Sequence, residues 1–107
     1  MEHISAQELA SRLADKSKNP PVLLDVREPS EYEICHISGV ILMPMQSVPE
    51  RANELEPDAE IVCICHHGGR SMHVADFLER QGFSKVTNLT GGVHAWAEEV
   101  DTAMPTY

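Results

Sequence analysis

The stretch Ile61–Gly82, IVCICHHGGRSMHVADFLERQG, decides how this chain folds. Its first five residues are apolar and include β-branched Ile61, Val62 and Ile64, a run that predicts a buried strand. Further on, Met72, Ala75, Phe77 and Leu78 recur at helical spacing, with Ser71 as a cap at the start and Gly82 as a stop. Between the two segments, Gly68 and Gly69 let the backbone bend tightly and turn its N–H groups inward. Cys65 is therefore expected where a strand delivers its last side chain into a ring of N–H donors at a helix N-terminus. Such an environment suits an anion and favours the thiolate of a cysteine. Arg70 adds a fixed positive charge to the same rim. The stretch thus reads as a cysteine nucleophile in an anion-binding loop. Cys63, inside the run, reads as a small buried apolar side chain.

Outward from this centre, strands and helices alternate. Towards the carboxyl end, Lys85–Leu89 predicts a weaker strand, and Gly91-Gly92 lead into a helix over Val93–Glu99 with Trp96 as its anchor. Towards the amino end, Ser47–Leu55 predicts a short helix that tolerates Pro49 in its first turn. Val40–Leu42 predicts a brief strand, and Ser30-Glu31-Tyr32-Glu33 a capping box opening one helical turn. Val22–Val26 is an apolar run bounded by prolines, another buried strand, with Asp25 and Arg27 near its carboxyl end. Those two read first as an ion pair that fixes the following loop, and second as groups supporting catalysis. Ser5-Ala6-Gln7-Glu8 is a capping box that opens a helix ended by Pro20 and Pro21.

Short, continuously apolar strands alternating with helices predict an α/β fold, a parallel sheet flanked by helices on both faces. The 107 residues are enough for one domain, expected over 1–107. Ligands of such sheets bind outside the carboxyl ends of the strands, where both Asp25-Val26-Arg27 and Cys65 fall.

Seventeen acidic against eight basic residues give a formal charge of −9, which argues against nucleic acid and an anionic membrane as partners, since both require a basic face. Residues 61–75 carry no acid, so the loop is expected to be an electropositive gap in an acidic surface. Three cysteines without framework spacing indicate free thiols and a reducing compartment. No stretch has the length of a membrane span and the start MEHISAQELASRL lacks a signal-peptide core, so the expected location is cytoplasmic.

Taken together, LLDVREPSEYEICHISGVILMP, IVCICHHGGRS, the helix ending in QGF, and NLTGGVHAW resemble a single-domain rhodanese, in the order of that family and over residues 22–96. The resemblance implies a parallel sheet flanked by helices and a sulfur atom carried as a persulfide on Cys65. It also implies that the backbone of His66, His67, Gly68, Gly69, Arg70 and Ser71 cradles that sulfur. The implied reaction is that of a thiosulfate sulfurtransferase. Sulfane sulfur passes from thiosulfate or another persulfide donor, a persulfide-carrying protein included, to a thiol or cyanide acceptor, without a cofactor. Cys35 and Ser38 stand where the family has glycine and proline in its GHIPG stretch.

Phosphatases related to this fold carry Cys-x5-Arg, whereas Cys65 to Arg70 is Cys-x4-Arg, the shorter ring of the sulfur-transferring members. Two further alternatives are a non-catalytic sulfur-carrier or protein-docking domain and a metal-binding module of Cys63, Cys65, His66, His67 and His73. Cys-x-Cys-His-His is poor zinc spacing, and no metal is expected. His36 and His94 read as solvent-facing or structural.

Overall fold

A computed structural model of the protein describes residues 1–107. Five strands, β1 (Glu2–Ile4), β2 (Val22–Asp25), β3 (Ile41–Leu42), β4 (Glu60–Ile64) and β5 (Lys85–Leu89), form one sheet in the order β1-β5-β4-β2-β3. Every pairing is parallel. Five α-helices connect them: α1 (Ala6–Ala14), α2 (Pro29–Ile34), α3 (Val48–Arg51), α4 (Gly69–Arg80) and α5 (Gly92–Glu99).

The period of two along β4 divides the core. Ile61, Cys63 and Cys65 share one apolar cluster with Val74, Ala75 and Leu78 of α4 and Val48 of α3. Val62 and Ile64 point the other way, into a cluster with Ala6 and Leu9 of α1 and with Val93 and Trp96 of α5. Both faces are therefore covered, as the continuous apolar strands require. Each fully buried aliphatic side chain of this core, such as Leu24, Ile64 or Leu78, contributes about 1.5–3 kcal/mol.

The strand order makes β4 central and places the reversal of the winding between β2 and β4. From β2 the chain moves outward to β3; it then returns to β4 on the opposite side of β2 and continues to β5. The crevice at such a reversal opens between the carboxyl ends of the two strands. Here those ends are joined directly, Val26 N–H donating to Ile64 C=O at 2.9 Å.

Several local expectations are corrected. β1 was not legible: three mostly exposed residues carry no apolar pattern, and only pairing with Thr87, Asn88 and Leu89 makes them a strand. The helix expected over 47–55 is a 3₁₀ turn (Met45–Ser47), then α3, then a second 3₁₀ turn (Ala52–Glu54). So short a segment gains too few i→i+4 bonds to hold one continuous helix. α2 begins two residues earlier than the Ser30 pattern indicates, with Pro29 in its first turn and Glu31 accepting from the Glu28 N–H at 3.1 Å. The Ser5–Glu8 capping box forms as expected, at 3.1 and 2.9 Å.

Candidate active site

β4 ends at Ile64, so Cys65 is the first residue freed from the ladder, and its side chain is 1% exposed. The backbone then turns at Gly68, whose φ of +112° is the left-handed conformation that glycine adopts without strain. That turn aims the Gly68 N–H back at Cys65 Sγ, 3.1 Å away. It also starts α4 two residues before Ser71. Ser71 is consequently not the helix cap: its hydroxyl lies in the first turn, 3.3 Å from Cys65 Sγ and buried. Two donors, one N–H and one O–H, thus converge on the sulfur near the N-terminus of a twelve-residue helix.

Ser71 Oγ is also 2.5 Å from Asn88 Oδ1 and 3.2 Å from Gly68 C=O. A hydroxyl has one hydrogen, so these three acceptors compete for it. A charged sulfur draws it more strongly than a neutral amide oxygen does. Asn88 itself is buried on β5 and holds Ser71 from the neighbouring strand.

The far side of the loop is braced by α5. Val93 and His94 N–H groups donate to Cys65 and His66 C=O at 2.9 and 3.1 Å, so the helix N-terminus occupies the outward-facing carbonyls of the loop. This contact requires Gly92: a Cβ there would lie 2.3 Å from Cys65 C=O, and its φ of +58° is left-handed. Only glycine permits that approach.

Asp25 and Arg27 form a buried ion pair, Nη2 to Oδ2 at 2.7 Å and Nε to Oδ1 at 2.9 Å. Arg27 also donates to the C=O of Cys35 at 2.7 Å and of Glu31 at 3.2 Å. Burial opposes its charge, but hydrogen bonds to Asp25 and Tyr107 outweigh that and hold its pKa above the ordinary arginine value. One buried guanidinium thereby ties the end of β2 to α2 and to the C-terminal cap of that helix. The ion-pair reading of Asp25 and Arg27 agrees with this geometry.

The expected electropositive gap is corrected by a long-range contact. Arg70 is clamped by Glu31, Nη1 to Oε1 at 2.7 Å and Nη2 to Oε2 at 2.8 Å, although the two stand 39 residues apart. Tyr107 Oη donates to the same carboxylate at 2.8 Å and accepts from Arg27 Nη1 at 2.9 Å. The Arg70 hydrogen bonds, against some burial, hold Glu31 down to about 2. The charge of Arg70 is therefore largely offset where it stands.

Cys63 lies on the same face as Cys65 but within the ladder, opposite Leu24 and Asn88. Burial, reinforced by Cys65, pushes its thiol up to about 12. The described hydrogen bonds include none to its sulfur. All three cysteines are free and buried.

Against known proteins, the description "Rhodanese-like domain" matches residues 5–99. The chain belongs to the rhodanese family. A putative sulfur carrier protein, YrkF of Bacillus subtilis, is 44% identical over 88 residues, 82% of this chain and 46% of that protein. A sulfurtransferase of Allochromatium vinosum is 36% identical and aligned over 88% of this chain and 86% of its own. The chain also spans 36% of a chloroplastic rhodanese-like/PpiC domain-containing protein of Arabidopsis thaliana, at 38% identity, so it is much shorter than some of its relatives. The crystal structure of a rhodanese-like domain protein from Staphylococcus aureus superposes with a TM-score of 0.85 at 31% identity, covering 94% of this chain and 95% of that one.

Within this rhodanese-like domain, His66, His67 and Gly68 lie between β4 and α4, Gly69, Arg70 and Ser71 in the first turn of α4, and Asp25 and Arg27 at the adjacent strand end. Cys63, Cys65 and His73 do not assemble with His66 and His67 into a ligand cluster; His94 does. Asn88, Glu31, Gly92 and Tyr107 escaped sequence reasoning. Gly91-Gly92 had a readable signal, two glycines after a strand, but nothing local shows that their absent side chains make room for Cys65.

Proposed function

We infer that the chain acts in sulfur transfer, a role supported by family membership and by relatives named as sulfurtransferase and sulfur carrier. We propose that the domain is a sulfurtransferase in which Cys65 carries the sulfur as a persulfide. The carrying observation is the buried Cys65 Sγ, just past the central strand, facing the Gly68 N–H and the Ser71 hydroxyl. The Cys65 thiolate attacks the sulfane sulfur of the donor; a new S–S bond forms and the donor's own bond to that sulfur breaks. With thiosulfate the bonding pair leaves on sulfite; with a persulfide donor it leaves on a thiolate. The terminal sulfur is then attacked by a thiolate or cyanide, giving a persulfide or thiocyanate and returning the Cys65 thiolate, a two-step exchange. Loop amides from His66 to Ser71 hold the persulfide, the Gly68 N–H already aimed at Sγ among them, and the Ser71 hydroxyl adds a side-chain donor.

The clamp on Arg70 separates the donors. A doubly charged anion such as thiosulfate meets an arginine already satisfied by Glu31, in a protein of charge −9. Thiosulfate is therefore a weakly saturating donor and a neutral or singly charged persulfide a better one. The Cys-x4-Arg ring supports transfer of sulfur over phosphate hydrolysis, and the free thiols support a reducing, cytoplasmic setting.

Intact mass spectrometry tests the reading. Incubation with thiosulfate or a low-molecular-weight persulfide is expected to add one sulfur atom, and a cyanide chase to remove it with stoichiometric thiocyanate. Stoichiometric loading without turnover to any thiol or cyanide would mark a carrier rather than an enzyme. Absence of loading by every donor overturns the proposal.

A further inference from the structure

Three imidazoles converge beside the Cys65 loop. His66 and His67 come from the loop itself and His94 from the first turns of α5, and one ring nitrogen of each lies within 4.8 Å of the others. The rings are mutually tilted rather than stacked in register: His66 and His67 at 33° with centroids 4.0 Å apart, His67 and His94 at 49° and 4.9 Å.

Two nitrogens in this cluster are buried without a hydrogen-bond partner, His66 Nε2 and His94 Nδ1. Buried ring nitrogens are ordinarily satisfied, so two orphans in one cluster call for a ligand. On His94 the other nitrogen, Nε2, is 2.9 Å from Glu98 Oε1. A carboxylate there accepts a hydrogen bond from Nε2–H and leaves Nδ1 with its lone pair, the arrangement that prepares a histidine for a metal ion. His66 is fixed in turn by stacking on Tyr107, centroids 3.9 Å apart at 10°.

We infer that His66, His67 and His94 form a binding site for a borderline divalent transition-metal ion of the Zn²⁺ type. Imidazole is the ligand these ions share, and three protein nitrogens with a fourth position open is a geometry Zn²⁺ adopts. Zn–N bonds of about 2.0–2.1 Å set tetrahedral N···N separations near 3.3 Å, so the rings must close by roughly 1–1.5 Å. His66 and His94 have the most widely separated ring centroids, at 6.1 Å, so closure involves those side chains as well as exposed His67. An ion there would link the loop to α5 a second time, in addition to the two backbone hydrogen bonds. The set Cys63, Cys65, His66, His67 and His73 considered from sequence is not this site, whose third ligand, His94, stands 27 residues beyond His67.

The test is Zn²⁺ titration of tag-free, chelator-stripped protein by calorimetry, with Co²⁺ absorption as a report on ligand type. The expected results are one Zn²⁺ per chain and a Co²⁺ spectrum without thiolate charge-transfer bands. Affinity should be unchanged in Cys65→Ser, and it should fall at least about tenfold in His94→Ala, His67→Ala and Glu98→Gln. His67 is exposed, so His67→Ala keeps the test valid if His94→Ala proves unstable. Affinity unaffected in His67→Ala, loss of binding in Cys65→Ser, thiolate bands, or no stoichiometric binding would each overturn the site. Because the Cys65→Ser chain is itself the probe, failure of the sulfur-transfer reading leaves the metal result intact, and the converse holds.

Discussion

Cys63 and Cys65 stand two residues apart on the same face of the same strand line, and both are buried. Their surroundings differ because the strand ends between them. Around Cys63 the backbone is paired in a parallel ladder with β2 and β5, and burial, reinforced by Cys65, pushes its thiol up to about 12. Past Ile64 the ladder stops, the Gly68 turn reverses the backbone, and an N–H and a hydroxyl point at Cys65 Sγ. Burial of a sulfur is thus neutral as to function. What separates an inert thiol from a candidate nucleophile is whether the adjacent backbone still has donors to give.

The largest effect should come from breaking the pair at the sulfur itself. Cys65→Ser is expected to abolish sulfur loading seen by intact mass, since an oxygen nucleophile cannot form the persulfide, while Cys63→Ala keeps most of it. Appreciable loading of Cys65→Ser, or its loss in Cys63→Ala alone, would reverse the assignment.

Next comes the brace. Gly92→Ala places a Cβ against Cys65 and His66 C=O in a left-handed position, so the loop or α5 must shift. Strain of at least about 1–3 kcal/mol is expected, read as a lowered Tm, together with a loss of loading rate larger than the stability change explains. A variant of wild-type Tm and loading rate would show that the loop does not depend on the close approach of α5.

Smaller again is Ser71→Ala, which removes the hydroxyl shared by Cys65 and Asn88. A buried acceptor left unsatisfied costs about 1–3 kcal/mol, and the loading rate should fall roughly tenfold with it. Asn88→Ala frees the hydroxyl for the sulfur; it should lower stability while sparing more of the rate. Equal rate losses in the two variants would argue that Ser71 acts only as packing.

The smallest effect is expected at the rim. Arg70→Ala should raise KM for thiosulfate by less than about tenfold, because the lost charge was already offset, and Arg70→Ala with Glu31→Gln should recover part of it. Glu31 carries a pH signature. Its folded pKa, about 2, lies below its ordinary 4.5, so its contribution is complete above the ordinary value and is lost as pH falls from there towards 2. The stability difference between wild type and Glu31→Gln should be constant above pH 5 and shrink between about pH 4.5 and 2. A difference that instead grows with acid would assign Glu31 another partner.

The strand, the glycine turn and the helix around Cys65 were legible in the residues because each rests on local causes. A β-branched apolar run prefers a covered strand, two glycines permit the turn, and a 3.6-residue period buries one helix face. The same causes yielded the parallel sheet covered on both faces. Where local signals were weak, boundaries moved: Ser71 looked like a cap, but the Gly68 turn closed earlier, and β1 depends on β5 for its existence.

The amino-acid sequence by itself thus determined the architecture and the position of Cys65 at the end of the central strand. Only the tertiary structure decided the charge and the company of the site. Glu31 reaches Arg70 from 39 residues away, Tyr107 reaches Glu31 from 76, Asn88 reaches Ser71 from 17, and His94 joins His66 across the loop. None of these pairs leaves a local pattern, because charge pairing and hydrogen bonding between side chains depend on distance in space. An acid-free run of fifteen residues is therefore no guide to the potential there once a distant carboxylate has folded against it.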